Sequence, residues 1–288
     1  MKAVFLDYKD INMGDLSWEP FTNICELEAY YDSTPEEAIE RCADAEAVLI
    51  DSCKLDSSFM DACPKLRYIG CVATGYNNVD IDYAKARNIR VTNVPAYSTD
   101  AVAQHTIALL LKLTNLVGHT PSEIGEIPTL LAGKTMGIVG YGNIGKKVAE
   151  IAQALGMKVN IYSRDPEAAI ASDVVSLHCP LNDETRGMVD GDFISRMKDG
   201  AIFINTARGG LVEENALAEA LRSGKIRAAG LDVLAKEPPE DDCPLLELEN
   251  CLITPHMAFA PKETREEVAR IAAENLASFL AGGNANVI

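Results

Sequence analysis

Four polar residues come shortly after short apolar runs, and their types suit reduction of a carbonyl group. Arg208, Asp232 and His256 each follow such a run, and Glu237 lies in the loop beyond Asp232. Apolar runs of this length, bounded by turn residues, predict buried parallel strands. Because ligands bind at the carboxyl edge of a parallel sheet, we expect these four side chains to converge on one site.

Each of the four side chains has a role in such a reaction. Hydride transfer leaves negative charge on the carbonyl oxygen, and His256 titrates near the operating pH, which makes it the candidate proton donor. Glu237 would stabilise its imidazolium and select its tautomer. Arg208 would bind a substrate carboxylate in a bidentate manner and polarise the carbonyl. Asp232 would accept from a nicotinamide amide or shape the site. A single histidine after a strand is usually structural, but four polar residues at successive strand ends favour catalysis.

A glycine-rich turn predicts where a dinucleotide binds. The sequence G-x-G-x-x-G at 140–145 follows the apolar run 136–139, opens an amphipathic helix, and is followed by a second strand at 157–162. The three glycines permit a tight turn, close approach of a pyrophosphate, and packing of helix on strand, and the first amides of the helix favour an anion. The alternative, a purely structural corner, is disfavoured by this context. The expected contacts are Gly140, Gly142, Asn143, Ile144 and Gly145.

The end of the second strand of this unit bears on the choice of cofactor. An NAD site places an acidic side chain on the ribose hydroxyls, but Ser163 and Arg164 stand there in this chain. A hydroxyl and a guanidinium suit a 2′-phosphate, which favours NADP, while Asp165 keeps NAD open. The residues 167–172 are fewer than a strand–helix–strand crossover normally needs.

Composition limits the class of protein. The chain has 288 residues and a net charge of −17, which favour two domains and disfavour nucleic acid or anionic membranes as partners. It begins with a strand rather than a signal peptide, and no uninterrupted apolar span is present.

Its eight cysteines form no C-x-x-C pairs, so a reducing, cytoplasmic location is expected. His178 and Cys179 lack further ligands, and no metal site is expected.

The remainder of the chain predicts a second sheet and a buried helix. Residues 1–97 alternate short strands with helices, as in a parallel α/β unit. Ala73, Thr74 and Gly75 follow one of these strands, and their amides could form an anion nest for a substrate carboxylate, although an ordinary turn is the alternative. The apolar helix from 101 to about 117 is expected to pack between domains or subunits, with His105 as a packed or interface residue.

Several stretches resemble the D-isomer specific 2-hydroxyacid dehydrogenase family, in order from about residue 45 to the end. They are ATGYNNVD at 73–80, NVPAYST at 93–99, the turn at 137–145, SLHCPL at 176–181, NTARGG at 205–210, LDV at 231–233, KEP at 236–238 and TPH at 254–256. The resemblance implies an α/β fold of two Rossmann-like domains with doubly wound parallel sheets and an active site in the interdomain cleft. It implies a flavodoxin-like substrate-binding domain at 1–97 plus 259–288, an NAD(P)-binding domain at 98–258, and a homodimer through the latter.

The resemblance also implies site residues and a substrate. Arg208, Glu237 and His256 would be the catalytic trio. The substrate contacts would be Ala73, Thr74, Gly75, Arg208 and His256, and the cofactor contacts beyond the glycine-rich turn would be Ser163, Arg164, His178, Cys179, Pro180, Thr185, Thr206, Ala207 and Asp232. Residues 93–99 and 254–261 resemble glycerate dehydrogenases (hydroxypyruvate reductases), which implies glycerate and hydroxypyruvate, or glyoxylate, as substrates with NAD(P)H.

Two alternatives and two departures accompany this resemblance. A D-lactate-type dehydrogenase of the same family, or a non-catalytic, dinucleotide-sensing protein similar to a corepressor, would share the scaffold. Residues 118–131 and 165–172 are shorter than the corresponding family segments. The second gap lies on the adenosine side, where a further strand and helix are expected.

Overall fold

The computed structural model describes residues 1–115 and 128–288. The chain divides into two units, Met1–Tyr97 with Ala260–Ile288, and Ser98–Phe259. Most of the connection 118–131 therefore lies outside the described residues. Phe259, which the sequence assigned to the first domain, lies in the second unit, where its ring meets the His256 ring edge-on with centroids 5.9 Å apart.

The first unit is a parallel sheet covered by helices on both faces. Its strands are β1 (Lys2–Phe5), β2 (Glu26–Ala29), β3 (Ala47–Ile50), β4 (Tyr68–Cys71) and β5 (Arg90–Thr92), and its helices are α1 (Glu19–Thr22), α2 (Pro35–Cys42), α3 (Ser57–Ala62), α4 (Ile81–Ala86) and α10 (Lys262–Leu280). The strand order is β2-β1-β3-β4-β5, with all neighbours parallel. The strands β3 and β4 are wholly buried because helices cover both faces.

The second unit contains a six-stranded parallel sheet. Its strands are β6 (Thr135–Val139), β7 (Lys158–Ile161), β8 (Val174–Leu177), β9 (Ala201–Asn205), β10 (Ile226–Leu231) and β11 (Cys251–Ile253), and its helices are α5 (Thr99–Asn115), α6 (Asn143–Ala154), α7 (Pro166–Ile170), α8 (Gly191–Arg196) and α9 (Glu214–Ser223). The order is β11-β10-β9-β8-β6-β7, again with all neighbours parallel. The order reverses between β6 and β8, and a crevice at such a point is where open α/β sheets bind ligands.

The short segment after β7 is accommodated by one glycine. Residues 165–172 form only the short helix α7, which crosses over β6 on the way to β8. A Cβ on Gly137 of β6 would lie 2.0 Å from the carbonyl oxygen of Ala169, so only glycine lets α7 lie directly on the sheet. The Asp165 carboxylate accepts a hydrogen bond from the Ala168 amide at 3.0 Å and thereby caps this helix.

The apolar helix α5 packs on one face of the second sheet. Leu109 and Leu110 are buried there, and a Cβ on Gly230 of β10 would approach the Leu109 side chain to 3.1 Å. One side of α5 is therefore buried within its own unit. None of the helices in the described parts of the chain is long and apolar enough to cross a membrane.

Candidate active site

His256 and Glu237 form a hydrogen-bonded pair at the carboxyl edge of the second sheet. His256 Nδ1 lies 2.6 Å from Glu237 Oε2, while Glu237 Oε1 accepts from the Leu234 amide at 2.8 Å. The hydrogen bond from Glu237 raises the pKa of His256, although burial opposes this. Burial disfavours the charged form of Glu237, but the contact with His256 and the hydrogen bond from the Leu234 amide together hold the pKa of that carboxyl below its ordinary value. Both shifts favour an imidazolium–carboxylate pair, with Nε2 as the nitrogen that can serve a substrate.

Arg208 lies beside this pair with its guanidinium available. It is exposed, and Nη1 donates to the Ala207 carbonyl at 2.7 Å; within the described residues no carboxylate pairs with it. Its positive charge acts on His256 and opposes the rise of that pKa. The turn after Arg208 touches the loop that carries Glu237, because a Cβ on Gly209 would lie 1.9 Å from the carbonyl carbon of Leu234.

Asp232 holds the loop that carries His256. Its buried carboxylate accepts hydrogen bonds from the Thr254 hydroxyl at 2.6 Å and from the amides of Met257 and Ala258 at 3.0 and 2.9 Å. Burial opposes the charge of Asp232, but these hydrogen bonds and one from His105 keep its pKa below the ordinary value. His256 itself has a φ of 49°, an uncommon conformation for a residue other than glycine. The structure thus gives Asp232 an anchoring contact that the sequence did not indicate.

The glycine-rich turn leaves room for a phosphate group. Gly140 has a φ of 98°, and a Cβ there would lie 2.4 Å from the backbone of His178 and Cys179, so the turn lies against the end of β8. A Cβ on Gly142 would meet nothing within 4 Å, and Gly142 starts α6 without a side-chain cap. The amides of Asn143 and Ile144, in the first turn of α6, have no acceptor among the described residues and could bind a pyrophosphate.

His178 is half-buried at the end of β8. Its Nε2 lies 2.9 Å from the Ser176 hydroxyl, whereas Nδ1 is buried with no hydrogen-bond partner among the described residues. Burial lowers the pKa of His178 to about 3, so the ring is neutral. Next to it, the Thr185 hydroxyl donates to the Pro180 carbonyl at 2.7 Å and shapes the loop that follows β8.

Two cations flank one aromatic ring near the end of β7. The guanidinium carbon of Arg164 lies 5.6 Å from the centre of the Tyr141 ring, and Lys146 Nζ lies 6.0 Å from it. In the part of the chain that the structure describes, neither cation pairs with a carboxylate. Ser163 is exposed beside them. The Asp165 carboxylate, next to Arg164 in the chain, is turned towards the Ala168 amide as the cap of α7, and no contact joins it to either cation in the described residues.

The predicted substrate nest belongs to the first unit. The amides of Ala73, Thr74 and Gly75 have no acceptor among the described residues. The Thr74 hydroxyl donates to the Val94 carbonyl at 2.8 Å, and Asn93 donates to the Thr74 carbonyl at the same distance. The turn is therefore held by its neighbours while its amides remain available to an anion.

Two polar residues of α5 reach the strand ends, and the sequence did not assign them there. His105 Nε2 lies 3.0 Å from the Thr254 hydroxyl, and the Thr106 hydroxyl lies 2.8 Å from that of Thr206. The signal was two adjacent polar residues in an apolar helix. No group of side chains in the described residues is arranged to hold a metal ion.

Comparison with known proteins identifies the family. The NAD-binding domain of the D-isomer specific 2-hydroxyacid dehydrogenases matches residues 118–258. The chain is 42% identical to a hydroxypyruvate reductase of Blautia hydrogenotrophica, covering all of this chain and 99% of that protein. It is 36% identical to a glycerate dehydrogenase of Methylorubrum extorquens, covering all of this chain and 98% of that one.

A solved structure of a related enzyme supports the same fold. An acyclic imino acid reductase in complex with NADPH and D-Arg superimposes with a TM-score of 0.87 at 30% identity, covering both chains completely. The family and the α/β fold with two parallel sheets, both predicted from the sequence, are confirmed. This chain belongs to the D-isomer specific 2-hydroxyacid dehydrogenase family and is an NAD(P)-dependent oxidoreductase of 2-hydroxy acids.

Proposed function

We propose that this enzyme reduces hydroxypyruvate or glyoxylate to the 2-hydroxy acid, with Arg208, Glu237 and His256 as its catalytic residues. The observation that carries the proposal is the 2.6 Å contact between His256 and Glu237, with the uncompensated guanidinium of Arg208 beside it. The names of the relatives, hydroxypyruvate reductase and glycerate dehydrogenase, support this substrate class. They also favour an enzyme over a non-catalytic sensor.

Each of these residues has a separate role in the reaction. Arg208 binds the substrate carboxylate and draws electron density towards the keto oxygen. The imidazolium of His256 donates its Nε2 proton to the forming alkoxide, and Glu237 stabilises the imidazolium before transfer. Amides at 73–75 are proposed donors to the substrate carboxylate. The nicotinamide cofactor, when bound, supplies the hydride.

Replacing Glu237 with glutamine should change the pH profile of kcat/KM for reduction: the fall in activity on the alkaline side should move to lower pH. Because Glu237 raises the pKa of His256, the imidazolium persists above its ordinary range, and reductase activity is lost as pH rises through that raised pKa. The other charged groups acting on His256, Asp232 and Arg208, are unchanged in this variant. The measurement is kcat/KM for hydroxypyruvate from pH 5 to 10.

Glu240→Gln, a change of the same kind in the same loop, serves as the control. It should leave the alkaline limb of the pH profile of kcat/KM unchanged. The reverse reaction needs neutral His256, so its rising limb should shift in the same direction. An unchanged limb in Glu237→Gln would remove Glu237 from this role.

We also propose NADPH as the preferred cofactor. The supporting observation is the pair of cations, Arg164 and Lys146, that flanks Tyr141 without a carboxylate partner in the described residues. Asp165, the residue that kept NAD open, is engaged by the Ala168 amide instead. A ribose 2′-phosphate suits this charge, and the related imino acid reductase structure contains NADPH.

Replacing Arg164 with alanine should raise the KM for NADPH and leave that for NADH nearly unchanged. Loss of one charge-assisted hydrogen bond, worth about 1.5–3 kcal/mol, predicts a rise of roughly 10- to 150-fold. Lys146→Ala should act in the same direction. Lys158→Ala, at the exposed start of β7, is the charge-matched control. Equal effects on both cofactors would contradict a 2′-phosphate site.

The test of the whole proposal is a matrix of NADH and NADPH against hydroxypyruvate, glyoxylate, pyruvate and 2-ketoisocaproate. The proposal requires the highest kcat/KM with one of the first two acids and with NADPH. Highest turnover of pyruvate would instead establish a D-lactate-type enzyme. Chiral analysis of the product tests the D configuration.

Location and assembly remain predictions. The eight cysteines are all free thiols in the structure, which suits the cytoplasm. A homodimer through the cofactor-binding unit would be tested by sedimentation velocity, and a monomer at micromolar concentration would contradict it.

A further inference from the structure

One polar cluster in the second unit lies beneath the proposed catalytic histidine. His105, on helix α5, lies with Nε2 3.0 Å from the Thr254 hydroxyl and 3.3 Å from Asp232 Oδ1. Thr254 directly follows β11, and Asp232 directly follows β10. A side chain of α5 therefore contacts the ends of two strands at once.

The direction of these hydrogen bonds determines which ring nitrogen of His105 carries a proton. The Thr254 hydroxyl is 2.6 Å from Asp232 Oδ1 and donates its proton to that carboxylate. The Thr254 oxygen must then accept from His105, so His105 Nε2 carries a proton directed at Thr254 and Asp232. Leucine or alanine at position 105 would leave the Thr254 oxygen without this donor.

The same carboxylate determines where His256 lies. Asp232 accepts from the amides of Met257 and Ala258, which directly follow His256. His256 has a φ of 49°, and a residue other than glycine keeps such a conformation only when its surroundings enforce it. His105, Thr254 and Asp232 are those surroundings on the side of α5.

We propose that His105 is a positioning residue of the reduction: its Nε2–H holds Thr254 and Asp232 so that the loop 254–258 presents His256 to the substrate. The inference rests on the proposed catalytic role of His256. His105 touches no reacting atom in this scheme and acts through the loop. The adjacent Thr106 supports the arrangement, because its bond to Thr206 fixes α5 against the end of β9.

Two amide substitutions test the proposal without removing a polar side chain. His105→Gln places its amide nitrogen near the position of Nε2 and keeps the donor, whereas His105→Asn is shorter and does not reach Thr254. We expect His105→Asn to lower kcat for hydroxypyruvate roughly 10- to 100-fold, since displacement of a catalytic group by about 1 Å can cost 10². His105→Gln should retain most of kcat. The dissociation constant of NADPH should stay within about threefold in both.

Thr114→Val is the matched control. Thr114 lies on α5, is buried, and its hydroxyl donates to the Leu110 and Leu111 carbonyls of its own helix. Loss of that hydroxyl therefore perturbs α5 without reaching the strand ends. It should lower Tm but not kcat per cofactor-binding site. Equal kcat in His105→Asn and His105→Gln would overturn the proposal, as would a loss of kcat in Thr114→Val equal to that in His105→Asn.

The His256→Asn variant separates this inference from the proposed function. If His256→Asn remains active, the catalytic assignment fails and the positioning role with it. If His256→Asn is inactive while the position 105 variants keep full kcat, the catalytic assignment holds and only the positioning role is wrong.

Discussion

Replacing His256 with asparagine should lower kcat for hydroxypyruvate reduction about 10²- to 10⁴-fold, the range that general acid catalysis contributes. Asparagine is the sharpest choice for two structural reasons. It tolerates the positive φ that His256 adopts, of 49°. Its amide nitrogen can also approximate the position of Nδ1 and keep a hydrogen bond to Glu237. The variant therefore removes the proton and little else.

The loss should appear in kcat and not in cofactor binding. NADPH binding, followed by fluorescence, should match the unmodified enzyme, because the glycine-rich turn lies at other strand ends of the same sheet. Far-ultraviolet circular dichroism and Tm should also be retained. Turnover within threefold of the unmodified enzyme would contradict the assignment of His256 as the proton donor.

Replacing Arg208 with lysine should lower kcat/KM for hydroxypyruvate roughly 30- to 150-fold. Lysine keeps the charge but not the planar fork, so one of two charge-assisted hydrogen bonds to the substrate carboxylate is lost, at about 2–3 kcal/mol. The guanidinium has no carboxylate partner in the described residues, so the change leaves no buried acid unpaired. Steady-state kinetics in both cofactors would measure the loss.

A second arginine in the same unit provides the control. Arg222, near the end of α9, donates to the Pro244 carbonyl at 3.2 Å and is exposed. Arg222→Lys should therefore leave kcat/KM unchanged. A normal kcat/KM in Arg208→Lys would show that the substrate carboxylate is bound elsewhere, with the amides at 73–75 as the first alternative.

Local signals in the sequence explain what could be predicted before the structure. The turn at 140–145 is recognisable because strand, glycines and helix are contiguous, and each glycine acts on neighbours within the same motif. The strand ends that carry Arg208 and His256 follow from short apolar runs. The short helix Glu19–Thr22 was missed, since a single turn has too little periodicity to read.

The side chains that share a contact could not be predicted in the same way. His105 and Thr254 are 149 residues apart in sequence, and their contact depends on how α5 lies on the sheet. Lys146 was not predicted to lie near the cofactor, because its contact with the Tyr141 ring depends on the direction in which helix α6 presents it. Likewise, Asp165 was a candidate for the ribose until the structure showed it capping α7.

The sequence by itself determined the family, the two parallel sheets, the dinucleotide turn and the identity of the three proposed catalytic residues. These depend on residue type, on spacing along the chain and on backbone rules that act over a few residues. Tertiary structure alone decided that Glu237 and His256 meet at 2.6 Å, that Gly209 brings the loop of Arg208 against that of Glu237, and that His105 and the Met257 amide both contact Asp232. Those contacts join separate strand ends, and their geometry is set by the packing of helices on the sheet.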